Sequence, residues 1–172
     1  MTKSPILKTF RAKIKNGELN FKYLSFIFLK MQIATFALGC FWGPDVYFSK
    51  LKGVLKTRVG YMGGTTKNPN YHNLGDHTET VEIIFDEKKI SFEELLKHFW
   101  KQHDPSIKEV TQYKSIIFYH NEKQKKLAEK SKKEIEEKLG KKIATEIKKA
   151  GTFWEAEEYH QKYLQKRKGR VC

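Results

Sequence analysis

Arginine is scarce in this sequence. Only Arg11, Arg58, Arg167 and Arg170 are arginines among 34 basic residues, the rest being lysine. Recognition of phosphates and guanine edges leans on arginine's planar fork, so this scarcity argues against a dedicated nucleic-acid binder despite a net charge of +14. The excess charge is also unevenly placed. Residues 1–30 carry seven cations against Glu18, residues 162–172 carry five cations and no acid, and only +3 remains between them. Cysteine is rarer still, with Cys40 and Cys172 alone. Two cysteines without a CxxC pair exclude a disulfide-built secreted domain and a zinc finger. Long apolar runs are missing too. None approaches the ~18 residues needed to span a bilayer. The stretch Tyr23–Leu29 is apolar but sits between Lys22 and Lys30 with no small-residue cleavage site, against a signal peptide. The cytoplasm is the expected compartment.

What is present suffices for one folded unit. A chain of 172 residues matches a single domain, and 39% hydrophobic with 13% aromatic residues can supply its core. Residues 1–30 lack the alternation of turns and elements that begins at Met31, which offers a second place for translation to start. The expected organisation is a basic extension, 1–30, followed by a domain over 31–172 whose tail carries Cys172.

From Met31 onward strands and helices mix. Ile33–Leu38 reads as a buried strand, and Gly39–Gly43 as the turn into a helix with Pro44 in its first turn. Val54–Tyr61 is a second strand, and Thr65–Asp76 a polar loop with Asn68-Pro69-Asn70 as turn chemistry. Thr78–Phe85 is a third strand, Val81, Ile83 and Phe85 alternating with Thr80 and Glu82. Ser91 and Glu94 form a capping box for a helix that Pro105 stops. Ser115–Tyr119 is a strand, and Asn121 caps a helix that Gly140 ends. Lys141–Ile147 reads as the last strand and Glu155–Leu164 as a terminal helix. The fold class is α+β, a two-layer sandwich with a mixed sheet.

Cys40 is the sharpest chemical feature. It lies at a glycine-flanked strand-to-helix turn, where free helix N–H groups and the helix dipole favour a thiolate, the reactive form of cysteine. Phe41 and Trp42 adjoin it. Glu79 shares the inward face of its strand with Val81, and a carboxyl desolvated there by aromatics would hold its proton longer than usual. A peroxide-reducing thiol enzyme fits these residues alone. The six histidines show no spacing suited to a metal site, and none is expected.

The pentapeptide Gly39-Cys40-Phe41-Trp42-Gly43 resembles the signature of peptide methionine sulfoxide reductases of the A class, which act on the S epimer. Gly60-Tyr61-Met62-Gly63-Gly64, Asn68-Pro69-Asn70-Tyr71, Asp76-His77-Thr78-Glu79-Thr80-Val81, Thr111-Gln112-Tyr113-Lys114-Ser115 and Ala156-Glu157-Glu158-Tyr159-His160-Gln161 follow in the family's order, so the resemblance runs from about Ile33 to Cys172. It implies a ferredoxin-like core and no cofactor. Cys40 would become a sulfenic acid, with Glu79 as proton donor and the hydroxyls of Tyr71 and Tyr113 holding the sulfoxide oxygen. Phe41 and Trp42 would take the substrate methyl. Cys172 would resolve the sulfenic acid as a disulfide that a thioredoxin-like reductant opens. The implied substrate is methionine sulfoxide, free or in oxidised proteins, and the implied state a monomer. One departure stands out: the loop Ser106–Val110 is short and lacks the family's aspartate, leaving Glu109 as its acid.

Overall fold

A computed structural model describes residues 31–168. The elements are β1 (Met31–Leu38), α1 (Trp42–Ser49), β2 (Val54–Met62), β3 (Thr78–Asp86), α2 (Phe92–Lys101), a 3-10 turn (Thr111–Tyr113), β4 (Ser115–Tyr119), α3 (Glu122–Leu139), β5 (Glu146–Lys149), β6 (Trp154–Glu155) and α4 (Tyr163–Lys168). The first six regular elements run βαββαβ, and the sheet order β5-β4-β1-β3-β2-β6 contains β4-β1-β3-β2 at its centre. That is the ferredoxin-like arrangement. The sheet is mixed, because β4 pairs antiparallel with β1 but parallel with β5. The expected α+β sandwich is the one observed.

One sheet face is covered by helices. Ala34, Phe36 and Leu38 of β1 meet Val81, Ile83 and Phe85 of β3, with Phe48 of α1, Leu95, Leu96 and Phe99 of α2 and Ala128 of α3 closing over them. Phe36 sits within 6 Å of the Phe48, Phe92 and Phe99 rings. Each such fully buried side chain contributes about 1.5–3 kcal/mol. Ser91 accepts from the Glu94 N–H and Glu94 accepts in return from the Ser91 N–H, so the capping box starts α2 as expected. Asn121 caps α3, and Gly140 ends it in a left-handed conformation.

The other face is crossed by the residues between β5 and β6. In a flat six-stranded sheet the outer strands lie about 24 Å apart. Five residue steps from Lys149 to Trp154 reach at most ~18 Å. The sheet therefore coils around this strap, whose Ala150 and Phe153 pack on Ala37, Met62, Ile116 and Phe118. Gly60 leaves room for it: a Cβ there would strike the Phe153 ring and the Trp154 carbonyl. This is also why β3 does not show one wet face. Glu82 is 5% exposed and accepts from Arg58 Nε at 2.6 Å, while the same guanidinium reaches Glu155 and lies over Phe153.

Two expectations need correction. The last long strand is Glu146–Lys149, not Lys141–Ile147, because its partner β4 first offers a parallel register at Ile116↔Glu146. The residues before it are held irregularly, Ala144 N–H on Pro105 O and Ile143 N–H on Glu136. Nor is Glu155–Leu164 one helix. Glu155 pairs with Gly60 in β6, and Lys162 has φ 57°, which no α-helix accommodates, so α4 starts only at Tyr163. The expected extension, residues 1–30, and the tail cysteine Cys172 lie outside the described residues. No helix among the described residues is long and apolar enough to cross a membrane.

Candidate active site

The β1–α1 turn places the cysteine. Gly39 takes φ 81°, a conformation costly for any residue with a Cβ, and turns the chain sharply out of the sheet. Cys40 follows, exposed, and Phe41 is the N-cap of α1, buried to 2%. The first N–H groups of a helix lack partners within it. Here the Phe41 N–H donates to Glu79 Oε2 at 3.1 Å, joining the turn to the start of β3. The surroundings act against the thiolate that the helix start favours. Desolvation pushes the Cys40 thiol above its ordinary value and the nearby Glu79 charge adds to this, while the Trp42 N–H works in the opposite direction without overcoming them.

Glu79 is 2% exposed. It stands opposite Tyr61 in the β2–β3 register, so both side chains share a sheet face. Its second oxygen, Oε1, accepts from Gln112 Nε2 at 2.8 Å. Burial raises its tendency to hold a proton, partly offset by the Gln112 and Phe41 donors. Tyr113 follows Gln112 in the 3-10 turn, and its hydroxyl is held above its ordinary pKa by desolvation and by the proximity of Glu79, Tyr71 and Cys40. Four of the expected residues, Cys40, Glu79, Tyr71 and Tyr113, therefore converge on one site.

The remaining wall comes from the irregular segment after β6. Tyr163 stacks on the Trp42 indole with centroids 3.9 Å apart, and Trp42 Nε1 donates to His160 Nδ1 at 3.0 Å. The His160 ring also contacts Phe41 and Tyr71 at 5.1 and 4.9 Å. Burial holds it below the usual histidine pKa, against the pull of Glu157. Glu157 accepts from the Tyr71 N–H at 2.9 Å and from the Tyr61 hydroxyl at 2.8 Å, so it positions the Tyr71 loop. Gln161 holds both the N–H and the carbonyl of Val59. Lys162 donates from its backbone to Asp45 Oδ2 at 3.0 Å and from Nζ to Asp45 Oδ1 at 2.5 Å, beneath α1. The sequence reading did not assign roles to Gln112, Glu157, Lys162 or Tyr163. The signal was there, because Gln112 and Glu157 sit inside the Thr111–Ser115 and Ala156–Gln161 motifs, and Lys162 and Tyr163 follow the second directly. Glu109 of the short loop is exposed and carries no ion pair among the described residues.

The comparisons decide the family. The family model described as peptide methionine sulfoxide reductase matches residues 32–172. The chain belongs to the peptide methionine sulfoxide reductase family. A Methanococcoides burtonii protein named peptide methionine sulfoxide reductase MsrA is 47% identical over 148 residues, covering 79% of this chain and 97% of that protein. Among solved structures, Mxr1 from Saccharomyces cerevisiae in reduced form is similar with TM-score 0.77 and 31% identity, over 84% of this chain and 90% of that one. The same yeast protein in complex with Trx2 gives TM-score 0.60 and 28% identity, over 78% of this chain and 86% of that one. The methionine sulfoxide reductase relatives thus match almost the same stretch that folds as βαββαβ with its C-terminal additions.

Proposed function

We propose that this chain is a peptide-methionine (S)-S-oxide reductase using a sulfenic acid at Cys40. The observation that carries the reading is a buried carboxyl, Glu79, bonded to the backbone N–H next to the exposed cysteine. A sulfoxide oxygen leaves poorly unless protonated. A thiolate at Cys40 attacks the sulfoxide sulfur while Glu79 gives its proton to the oxygen. The oxygen then passes to the cysteine sulfur: thiol plus sulfoxide become sulfenic acid plus methionine, the cysteine oxidised by two electrons and the substrate reduced by two. The site needs one negative charge and one proton shared between Cys40 and Glu79, and the burial of Glu79 helps keep that proton within it.

Tyr71 and Tyr113 supply hydroxyl donors to the sulfoxide oxygen, in the manner of an oxyanion hole. Phe41 and Trp42 receive the methyl group by shape. Cys172 condenses with the sulfenic acid to form a disulfide and release water. A thioredoxin-like dithiol reopens it, a partner supported by the yeast relative's complex with Trx2. Such a cycle suits a reducing compartment, so the chain works in the cytoplasm, as a monomer, on oxidised methionine free or in proteins.

The test is turnover of the two sulfoxide epimers of a methionine peptide with dithiothreitol. The S epimer alone should be consumed, and Cys40→Ser should consume neither. Consumption of the R epimer alone, or full activity without the Cys40 thiol, overturns the assignment.

A further inference from the structure

Glu79 has two oxygens in different situations. Oε2 faces the Phe41 N–H at 3.1 Å, a donor fixed in the backbone that can never accept. Oε1 faces the Gln112 side-chain amide at 2.8 Å. An amide carries a donor and an acceptor on one trigonal carbon, so a half-turn exchanges them in nearly the same place. We propose that Gln112 is a positioning residue for the proton of Glu79: its NH2 donates to the carboxylate, and after turning over its oxygen accepts from the carboxylic acid, so the reactive proton resides on Oε1. The proposal deepens the reading of Glu79 as proton donor and rests on it.

The surroundings fit this role. The 3-10 turn is fixed to β3 by the Thr78 hydroxyl, which donates to Thr111 O at 2.7 Å, so the amide can turn without moving its backbone. The amide oxygen accepts no hydrogen bond among the described residues, so nothing there holds it in one orientation. The titratable groups facing Glu79 are Cys40 from the β1–α1 turn, Tyr61 from β2 and Tyr113 from the 3-10 turn, with Glu157 behind Tyr61. None is a cation. A lysine at position 112 would fix the carboxylate charged, and an apolar side chain would leave the acid's proton without an acceptor. An amide serves both states.

The experiment is single-turnover reduction of a Met-S-sulfoxide peptide by the reduced full chain, followed against pH in the wild type, Glu79→Gln, Gln112→Ala and Gln112→Glu. The limb that Glu79→Gln abolishes is the limb of Glu79. It should move up by roughly one pH unit in Gln112→Ala, because the bond the amide gives the charged carboxylate outweighs the one it takes from the neutral acid. It should move further in Gln112→Glu, where two carboxyls share the site. KM should change little. A Glu79 limb unmoved in both Gln112 variants, with rates lowered equally at every pH, overturns the proposal and leaves Gln112 as packing. If Glu79→Gln retains every limb, the reading of Glu79 as proton donor fails instead. Where a variant is too slow to profile, titration of the Glu79 carboxyl by carbon NMR in the folded variant reads the same shift directly.

Discussion

Two stretches build this site by opposite means. The β1–α1 turn places Cys40, Phe41 and Trp42 with local devices: a glycine at positive φ, a strand end and a helix start within five residues. The segment from Ala156 to Tyr163 has almost no regular structure and is placed by long-range side-chain bonds, to Val59, Tyr61, Tyr71, Trp42 and Asp45. On the proposed function, the first stretch holds the reacting atom and the second holds the walls around it. Damage to the first should therefore strike the chemistry, and damage to the second the geometry and stability.

The sharpest break of that contrast lies in the first stretch. Cys40→Ser should abolish reduction altogether, with the fold intact by circular dichroism. Glu79→Gln, bonded into the same turn, should slow single-turnover reduction by about 10²–10⁴-fold, the usual worth of a general acid. In the second stretch Lys162→Met leaves Asp45, 1% exposed, without its cation, and should cost about 3 kcal/mol in urea unfolding. Equal loss of kcat and stability in that variant would erase the distinction between the two regions. Smaller again is Glu157→Gln. Against the burial that opposes it, the Tyr71 N–H helps hold Glu157 below the usual carboxylate range. A depressed folded-state pKa gives stability that is present above the unfolded value of about 4.3 and is lost as pH falls through the folded one. Glu157→Gln should flatten that acid-side loss and raise KM several-fold. An unchanged acid limb of stability would show that Glu157 does not anchor the Tyr71 loop. Cys172→Ser sharpens the contrast from outside both stretches: single-turnover methionine release should persist while thioredoxin-driven cycling stops.

The same division explains what could be read beforehand. The β1–α1 turn, the Ser91–Glu94 capping box and the Asn121-to-Gly140 helix are written in residues close together, where periodicity and turn chemistry act. The candidate site residues Cys40, Glu79, Tyr71 and Tyr113 could be picked out because their motifs are distinctive, and the fold brings them together. Residues Glu155–Leu164 were misread as a helix because their backbone is decided by Asp45 and Gly60, about a hundred positions earlier. The surroundings that oppose a thiolate at Cys40 were hidden similarly. A helix start is visible locally, but the desolvation and the Glu79 charge that outweigh it arrive only with the fold. Gln112 was quoted within a motif yet given no task, since its partner is defined by an oxygen and not by a spacing.

The late position of the pocket wall has a consequence during synthesis. Cys40 leaves the ribosome more than a hundred residues before Glu157, His160 and Lys162. At roughly 5–20 residues per second, that interval is on the order of ten seconds. Throughout it the nascent chain carries its nucleophile without the histidine that orients Trp42 or the carboxylate that seats Tyr71. A chain abandoned before residue 157 keeps its thiol, Phe41 and Trp42 but lacks the side chains that hold Trp42 and Tyr71 in place. On the proposed function, competence therefore waits for residues 157–163, long after Cys40 itself has been made.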